Sequence, residues 1–264
     1  MKTLISNIKI YELSHQKNIR DLGGLKGANG KTIKYGRIYR GGALEKVNEE
    51  DLKVIKSFNL TDIVDFRSKG EFIHHPDLKL DNVRYHNFTT FDHEHKKEDI
   101  QHDDGNLLWF MNKGDTGFMH LSRTYRELVD TEEGQAAYRN LFRIIMADGN
   151  PVVYFHCSQG KDRVGVGAYL IESALGVDME TIKEDYLLSN VAMEKRRDCL
   201  VNSVKNRPFF DEQYKKDLLE VFSAKLEYLQ EAIDIIDSKY GGVMSYLENV
   251  LNVDVKKMRE LFLE

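Results

Sequence analysis

The sequence predicts an α/β fold, a central sheet flanked by helices, with an inserted lid-like segment and a helical C-terminal layer. Three observations carry that prediction. Helical spacing repeatedly gives way to short apolar runs, of which Val152 to Phe155 is the strongest. The polar, His-rich stretch 89–116 interrupts the alternation. Beyond Arg163 almost everything follows helical periodicity.

Composition narrows the class. The chain has 264 residues, 41% hydrophobic and 31% charged, with 3 Pro and 19 Gly. That is apolar mass enough to bury about three quarters of the unfolded surface, so disorder, collagen-like repeats and coiled coil are excluded and one domain over residues 1–264 is expected. The 38 basic and 43 acidic side chains give a net charge of −5, which offers no global field to nucleic acid or anionic membrane. Any anion site must therefore be built locally, and no nucleic-acid partner is expected. Two cysteines are too few for a disulfide framework. Asn7 and Lys9 interrupt the N-terminus before a signal-length core forms, and no run reaches the ~18 apolar residues that span a bilayer. The expectation is a cytoplasmic protein, or one exported without a signal peptide, with no stable membrane insertion; oligomeric state has no signature in the sequence.

Asn18 to Gly30 concentrates turn residues and predicts a tight hairpin or loop. Asn48, ahead of Glu49, Glu50 and Asp51, opens a helix with Leu52, Ile55 and Phe58 on one face. Thr61 to Phe66 follows as a buried strand and Val83 to Phe88 as another. Within 89–116 only Leu107 to Met111 is apolar, as core or as part of a lid. A helical stretch runs over Gly117 to Ala147, and Val152 to Phe155 is the central strand. Helices follow at Val164 to Ala174, ended by Gly176, at Asp178 to Leu188, and at Phe222 to Tyr240, ended by Gly241-Gly242. Met244 to Leu251 and Val255 to Leu263 complete a helical layer over 178–264. Lys195-Arg196-Arg197 reads as a solvated face, and Cys199 as a helix residue, with a reversible disulfide to Cys157 as the alternative.

The central strand runs directly into His156-Cys157-Ser158-Gln159-Gly160-Lys161-Asp162-Arg163-Val164-Gly165 and then into a helix. A loop between a strand end and a helix N-terminus turns successive N–H groups inward and adds the positive end of the helix dipole, which makes a nest for a tetrahedral anion. Cys157 lies at the mouth of that nest, where both effects favour thiolate over thiol. Arg163 closes the loop with a planar guanidinium that can bind two phosphate oxygens. Ser158, Gln159, Gly160, Lys161, Asp162 and Arg163 are thus the expected phosphate-binding residues. Cys157 and Arg163 supply the nucleophile and the charge stabilisation of phosphoryl transfer; an acid must complete the set. His93, His95 and His102, among Asp92, Glu94, Asp103 and Asp104, lack zinc-type spacing and read as a solvated loop, so no metal and no cofactor are expected.

His156-Cys157-x-x-Gly160-x-x-Arg163 resembles the signature of cysteine-dependent protein tyrosine phosphatases, and Gly160-Lys161-Asp162-Arg163 is similar to its form in the atypical bacterial tyrosine phosphatase family. Asn18-x-Arg20-Asp21-Leu22-Gly23-Gly24, Gly36 to Gly42, Asp65-Phe66-Arg67 with Glu71, Asp185 to Asn190 and Tyr240-Gly241-Gly242 extend the likeness to nearly the whole chain. The resemblance implies a phosphatase-type fold and hydrolysis of phosphotyrosine in proteins through a phosphocysteine, without metal. Some relatives also accept phosphoserine, phosphothreonine or phosphoinositides. It favours Asp162 as the acid; Asp92, on the loop after strand Val83 to Phe88, is the rival by analogy with dual-specificity phosphatases, and Asp65 is a third choice. His156 is expected to orient the loop and tune Cys157, while Arg20 and Arg67 either contact substrate or pair with Asp21 and Asp65. Lys161 would add a cation suited to a phosphoinositide headgroup. Val164 departs from the pattern, which usually has Thr or Ser there to stabilise the departing cysteine sulfur. Its consequence is slow breakdown of the intermediate or, at the extreme, a phosphate-binding pseudophosphatase; Ser158 could supply a substitute hydroxyl.

Overall fold

A computed structural model describes residues 7–14, 18–45, 47–91, 116–206 and 211–264, apart from the side chain of Arg196. Asp92, the histidines of the 89–116 stretch and the run Leu107 to Met111 lie outside the described residues. Six strands, β1 (Ile10–Tyr11), β2 (Ile19–Asp21), β3 (Ile38–Gly41), β4 (Asp62–Asp65), β5 (Arg84–Asn87) and β6 (Val153–His156), form one sheet in the order β1-β2-β3-β6-β4-β5. β1, β2 and β3 pair antiparallel, whereas β3, β6, β4 and β5 run parallel. The late strand β6 thus enters between two early ones, and the register sets Gly41, His156 and Asp65 side by side at the carboxyl ends.

Alternation along β6 assigns its side chains to two layers. Val153 and Phe155 join the larger core, while Tyr154 joins a smaller one with Ile55 of α1 (Glu49–Ser57) and Phe58, which caps that helix. Asn48 caps α1 by accepting from the Asp51 N–H at 2.8 Å. After β4 comes the short α2 (Lys69–His74). The expected helix over Gly117 to Ala147 is two helices, α3 (Gly117–Asp130) and α4 (Glu132–Ile145). Thr131 breaks it: its backbone is extended, and its hydroxyl donates to Glu127 O and accepts from the Gly134 N–H. A Cβ on Gly134 would lie 2.3 Å from Leu128 O, so the close approach of the two helices requires glycine there.

α5 (Asp162–Ala174) passes through the centre, every residue from Val164 to Ala174 being buried. α6 (Met179–Val204) is far longer than the expected Asp178 to Leu188, because its exposed polar second half carries helical propensity without an apolar stripe. α7 (Glu212–Val221) has no counterpart in the expected elements. α8 (Leu226–Tyr240) ends at Gly241, and α9 (Val243–Ser245), a π-turn at Tyr246–Val250 and α10 (Val255–Phe262) close the layer. Among the described residues no helix is long and apolar enough to cross a membrane.

Candidate active site

Open α/β sheets place ligands in the crevice outside the carboxyl ends of their parallel strands, and residues 157–161 line that crevice here. No side chain caps the N-terminus of α5, so its first-turn amides are free to meet an anion. Gly160 occupies the tightest point of the loop with φ +67°, and a Cβ there would lie 2.3 Å from the carbonyl carbon of Gly41. Cys157 is buried and Cys199 exposed, and both are free thiols.

Arg163 donates from Nη1 to Glu71 Oε2 at 2.8 Å and from Nη2 to Glu71 Oε1 at 3.0 Å. Its Nε has no hydrogen-bond partner among the described residues. Ser158 Oγ donates to Glu71 Oε1 and lies 3.2 Å from Arg163 Nη2. Its hydroxyl hydrogen is therefore engaged by Glu71 and is not offered to Cys157. Burial alone would raise the Glu71 pKa, but the Arg163 charge and the bonds from Arg163, Ser158 and Ser68 hold it well below the usual carboxylate range. Burial would lower that of Arg163, and Glu71, Cys157 and Asp65 instead raise it. Glu71, Tyr125 and Asp77 are site residues for which sequence reasoning assigned no role. For Glu71 the signal was Ser68-x-x-Glu71, a capping box that fixes Glu71 in the first turn of α2, immediately beyond β4.

Asp162 stands at the first position of α5, where Oδ1 accepts from Tyr125 OH at 2.8 Å and lies 3.3 Å from Lys161 Nζ. Its Oδ2 has no partner among the described residues. Tyr125 OH is also 2.7 Å from Tyr186 OH, and burial followed by the Asp162 charge pushes the Tyr125 pKa far up, which keeps the hydroxyl protonated. Lys161 does not place its charge in the nest: Nζ donates to Val221 O at 2.5 Å and Ser223 O at 3.0 Å, where the carbonyls at the end of α7 attract a cation. The ammonium thus lies between the end of α7 and Asp162 Oδ1.

His156 is buried and stacks on Tyr154, with Nε2 3.2 Å from Asp77 Oδ2 and Nδ1 3.8 Å from Asp65 Oδ1. Burial would lower its pKa, but the two carboxylates raise it. Arg67 pairs with Asp65 at 2.8 Å and with Asp77 at 2.7 Å, so the cluster of Asp65, Asp77 and His156 already holds a cation, the guanidinium. Asp65 also accepts from the Arg67 N–H and Nε, and this buried, fully engaged carboxylate has no oxygen free for an acid's role. Arg20 pairs with Asp185 at 2.6 Å rather than with Asp21, which instead accepts from the Gly23 and Gly36 N–H groups.

A mixed α/β sheet whose parallel strands end beside a strand–loop–helix turn, with an anchored arginine at the start of the helix, suits a phosphate-handling enzyme. A profile of the tyrosine phosphatase family matches residues 11–264. The chain belongs to the tyrosine phosphatase family, and its enzyme class is protein-tyrosine phosphatase. It is 29% identical over 269 residues to a protein of Cupriavidus necator named as a tyrosine-protein phosphatase, which covers 93% of this chain and 85% of the relative. It is 26% identical over 283 residues to the triple specificity protein phosphatase PtpB of Mycobacterium tuberculosis, covering 96% and 99%. Among solved structures, P. aeruginosa TpbA aligns with a TM-score of 0.29 and 16% identity, over 76% of this chain and 90% of that one.

Proposed function

We propose that this chain hydrolyses phosphotyrosine in proteins through a covalent phosphocysteine. The observation that supports it is the placement of Cys157 between the end of β6 and the uncapped start of α5, with Arg163 aligned by Glu71. In this mechanism Cys157 Sγ attacks phosphorus in line, and the bond to the tyrosine oxygen breaks. Arg163 and the loop amides take up the charge on the equatorial oxygens. Asp162 Oδ2 gives its proton to the leaving oxygen, and the carboxylate then takes a proton from the water that displaces sulfur, releasing phosphate and restoring the thiolate. The bond from Tyr125 to Oδ1 orients the carboxyl and leaves Oδ2 to carry the proton.

A wider ester range is the second reading, supported by the name of the triple-specificity relative. The turned-away Lys161 removes one reason to expect phosphoinositides. Phosphate release from phosphotyrosine, phosphoserine and phosphothreonine peptides and a short-chain phosphoinositide, assayed side by side, tests both. Phosphotyrosine is expected to turn over fastest and Cys157→Ser to abolish every activity; retained turnover in that variant refutes the cysteine route. Asp162→Asn should flatten the basic limb of the pH profile and spare good leaving groups. That behaviour in Asp92→Asn alone would move the acid's role to Asp92.

A further inference from the structure

Three of the sequence blocks that resemble the phosphatase family have no part in the chemistry above, yet they meet directly behind the phosphate loop. Asn18 Nδ2 donates to Gly160 O at 2.8 Å and to Gln159 O at 3.2 Å, and Arg40 Nη2 donates to Gly160 O at 3.2 Å. The Ala43 N–H reaches Ser158 O at 3.3 Å. A trans peptide holds its C=O and N–H in opposite directions. Carbonyls drawn backwards at Ser158, Gln159 and Gly160 therefore turn the N–H groups of Gln159, Gly160 and Lys161 forwards, to where an anion binds.

The donors behind the loop are themselves fixed. Arg20 Nη1 donates to Asn18 Oδ1, and because arginine has no acceptor, this sets the amide with Nδ2 toward the loop. Arg20 is held by Asp185 through Nε at 2.6 Å and through Nη2 to the Asp185 carbonyl at 2.8 Å. The other carboxylate oxygen of Asp185 accepts from Arg40 Nη1 at 2.5 Å. Asn18, Arg20, Arg40 and Asp185 are all nearly or fully buried, so these bonds do not exchange with water. We propose that Asn18, fixed by Arg20 and Asp185, is a positioning residue that aims the phosphate-loop amides at the transferring phosphoryl group. The proposal rests on the reading of residues 157–163 as the phosphate site.

The backbone at Asn18 allows a clean test, since its φ of +66° is open to Gly and Asp as well as Asn. Asn18→Gly removes both donors; Asn18→Asp also sets carboxylate oxygens against the loop carbonyls while gaining an ion pair with Arg20. Vanadate inhibition and the kinetics of p-nitrophenyl phosphate are measured with thermal melting. Vanadate should bind about tenfold more weakly to Asn18→Gly and weaker still to Asn18→Asp, with kcat falling more than KM rises. Melting should not follow that order, because Asp is expected to be the more stable of the two. Wild-type vanadate affinity in both variants, or affinity that simply tracks melting, overturns the proposal. Should Asn18→Gly fail to fold, Arg40→Lys, which keeps the charge and shortens the reach to Gly160 O, is expected to weaken vanadate severalfold, and no change there overturns it. A wild-type enzyme insensitive to vanadate, or active Cys157→Ser, would instead refute the phosphate-site reading itself.

Discussion

On the mouth side of the loop, Asp162, Arg163 and Glu71 keep 24%, 16% and 24% of their side-chain surface exposed; behind it Arg20, Arg40 and Asp185 keep 2%, 0% and 1%. In the proposed mechanism Asp162 and Arg163 trade partners with a phosphate ester and with water, and each retains access and an uncommitted atom, Oδ2 of Asp162 and Nε of Arg163. The groups behind never trade partners, and burial makes their bonds directional and durable. Charge follows the same division. Behind the loop Arg20 and Arg40 both pair with the one carboxylate of Asp185. On the other side of β6, Arg67 is matched by Asp65 and Asp77. One arginine is held by two carboxylates at the strand ends, while behind the loop two arginines share one.

The largest expected effect is on the mouth side. Arg163→Lys should lower kcat/KM by about a hundredfold or more, because an ammonium cannot meet Glu71 in a fork and the phosphate at the same time. Melting should fall by no more than in Glu71→Gln, since an ammonium can keep a single contact to Glu71 and the partly exposed side chain supports no core. Steady-state kinetics with a phosphotyrosine peptide decide it, and wild-type turnover would break the distinction between the two sides.

Glu71 sharpens the comparison because it stands at the mouth yet acts as a support. Glu71→Gln should cost about tenfold in kcat, through loss of the charge that aligns Arg163, and about 2 kcal/mol of stability at pH 7. The folded pKa lies below the unfolded one, so the carboxylate's stabilisation is present above the unfolded value and is lost as pH falls through the folded one. Urea unfolding at pH 7 and pH 3.5 should therefore show the gap between variant and wild type narrowing by about 1 kcal/mol. An equal gap at both pH values would show that the ion pair is not its source.

The legible part of this molecule was what short-range chemistry encodes. The strand, the connecting loop and the helix between Val152 and Ala174 follow from local pattern, and so do the Asn48 cap and β4. What stayed hidden was direction and partnership across long separations. Arg20 and Asp185 are 165 residues apart, so the adjacent Asp21 was the natural but wrong partner. Lys161 looks like one more phosphate cation until α7, a helix absent from the expected elements, supplies carbonyls for it. Thr131 carried a local signal that an overlapping helical period outweighed, since a threonine ahead of two glutamates is as good a cap as it is a helix interior residue. Asp92 lies outside the described residues, and the proposal of Asp162 as the acid is supported by its place at the start of α5 and its bond from Tyr125.

The smallest expected effect lies at the seam between the two sides, at Val164. This side chain is wholly buried in the first turn of α5, one residue beyond Arg163, and in the proposed mechanism it offers no hydroxyl to the sulfur when water displaces it from phosphorus. Ser158 is no substitute, since its hydrogen is directed to Glu71. A thiolate departing without a donor is a poorer leaving group, so breakdown of the phosphocysteine should limit turnover in part, and a good substrate should give a pre-steady-state burst. Val164→Thr supplies the missing donor at nearly constant volume. It should raise kcat a few-fold, leave kcat/KM unchanged because formation of the intermediate is untouched, and diminish the burst. Burying the hydroxyl should lower stability by about 1 kcal/mol unless it bonds to Cys157 Sγ, so the stability change reports on the same contact. Rapid-quench kinetics with melting on both proteins provide the check: a wild type without a burst, together with an unchanged or lower kcat in Val164→Thr, would show that this enzyme discharges its cysteine without a neighbouring hydroxyl.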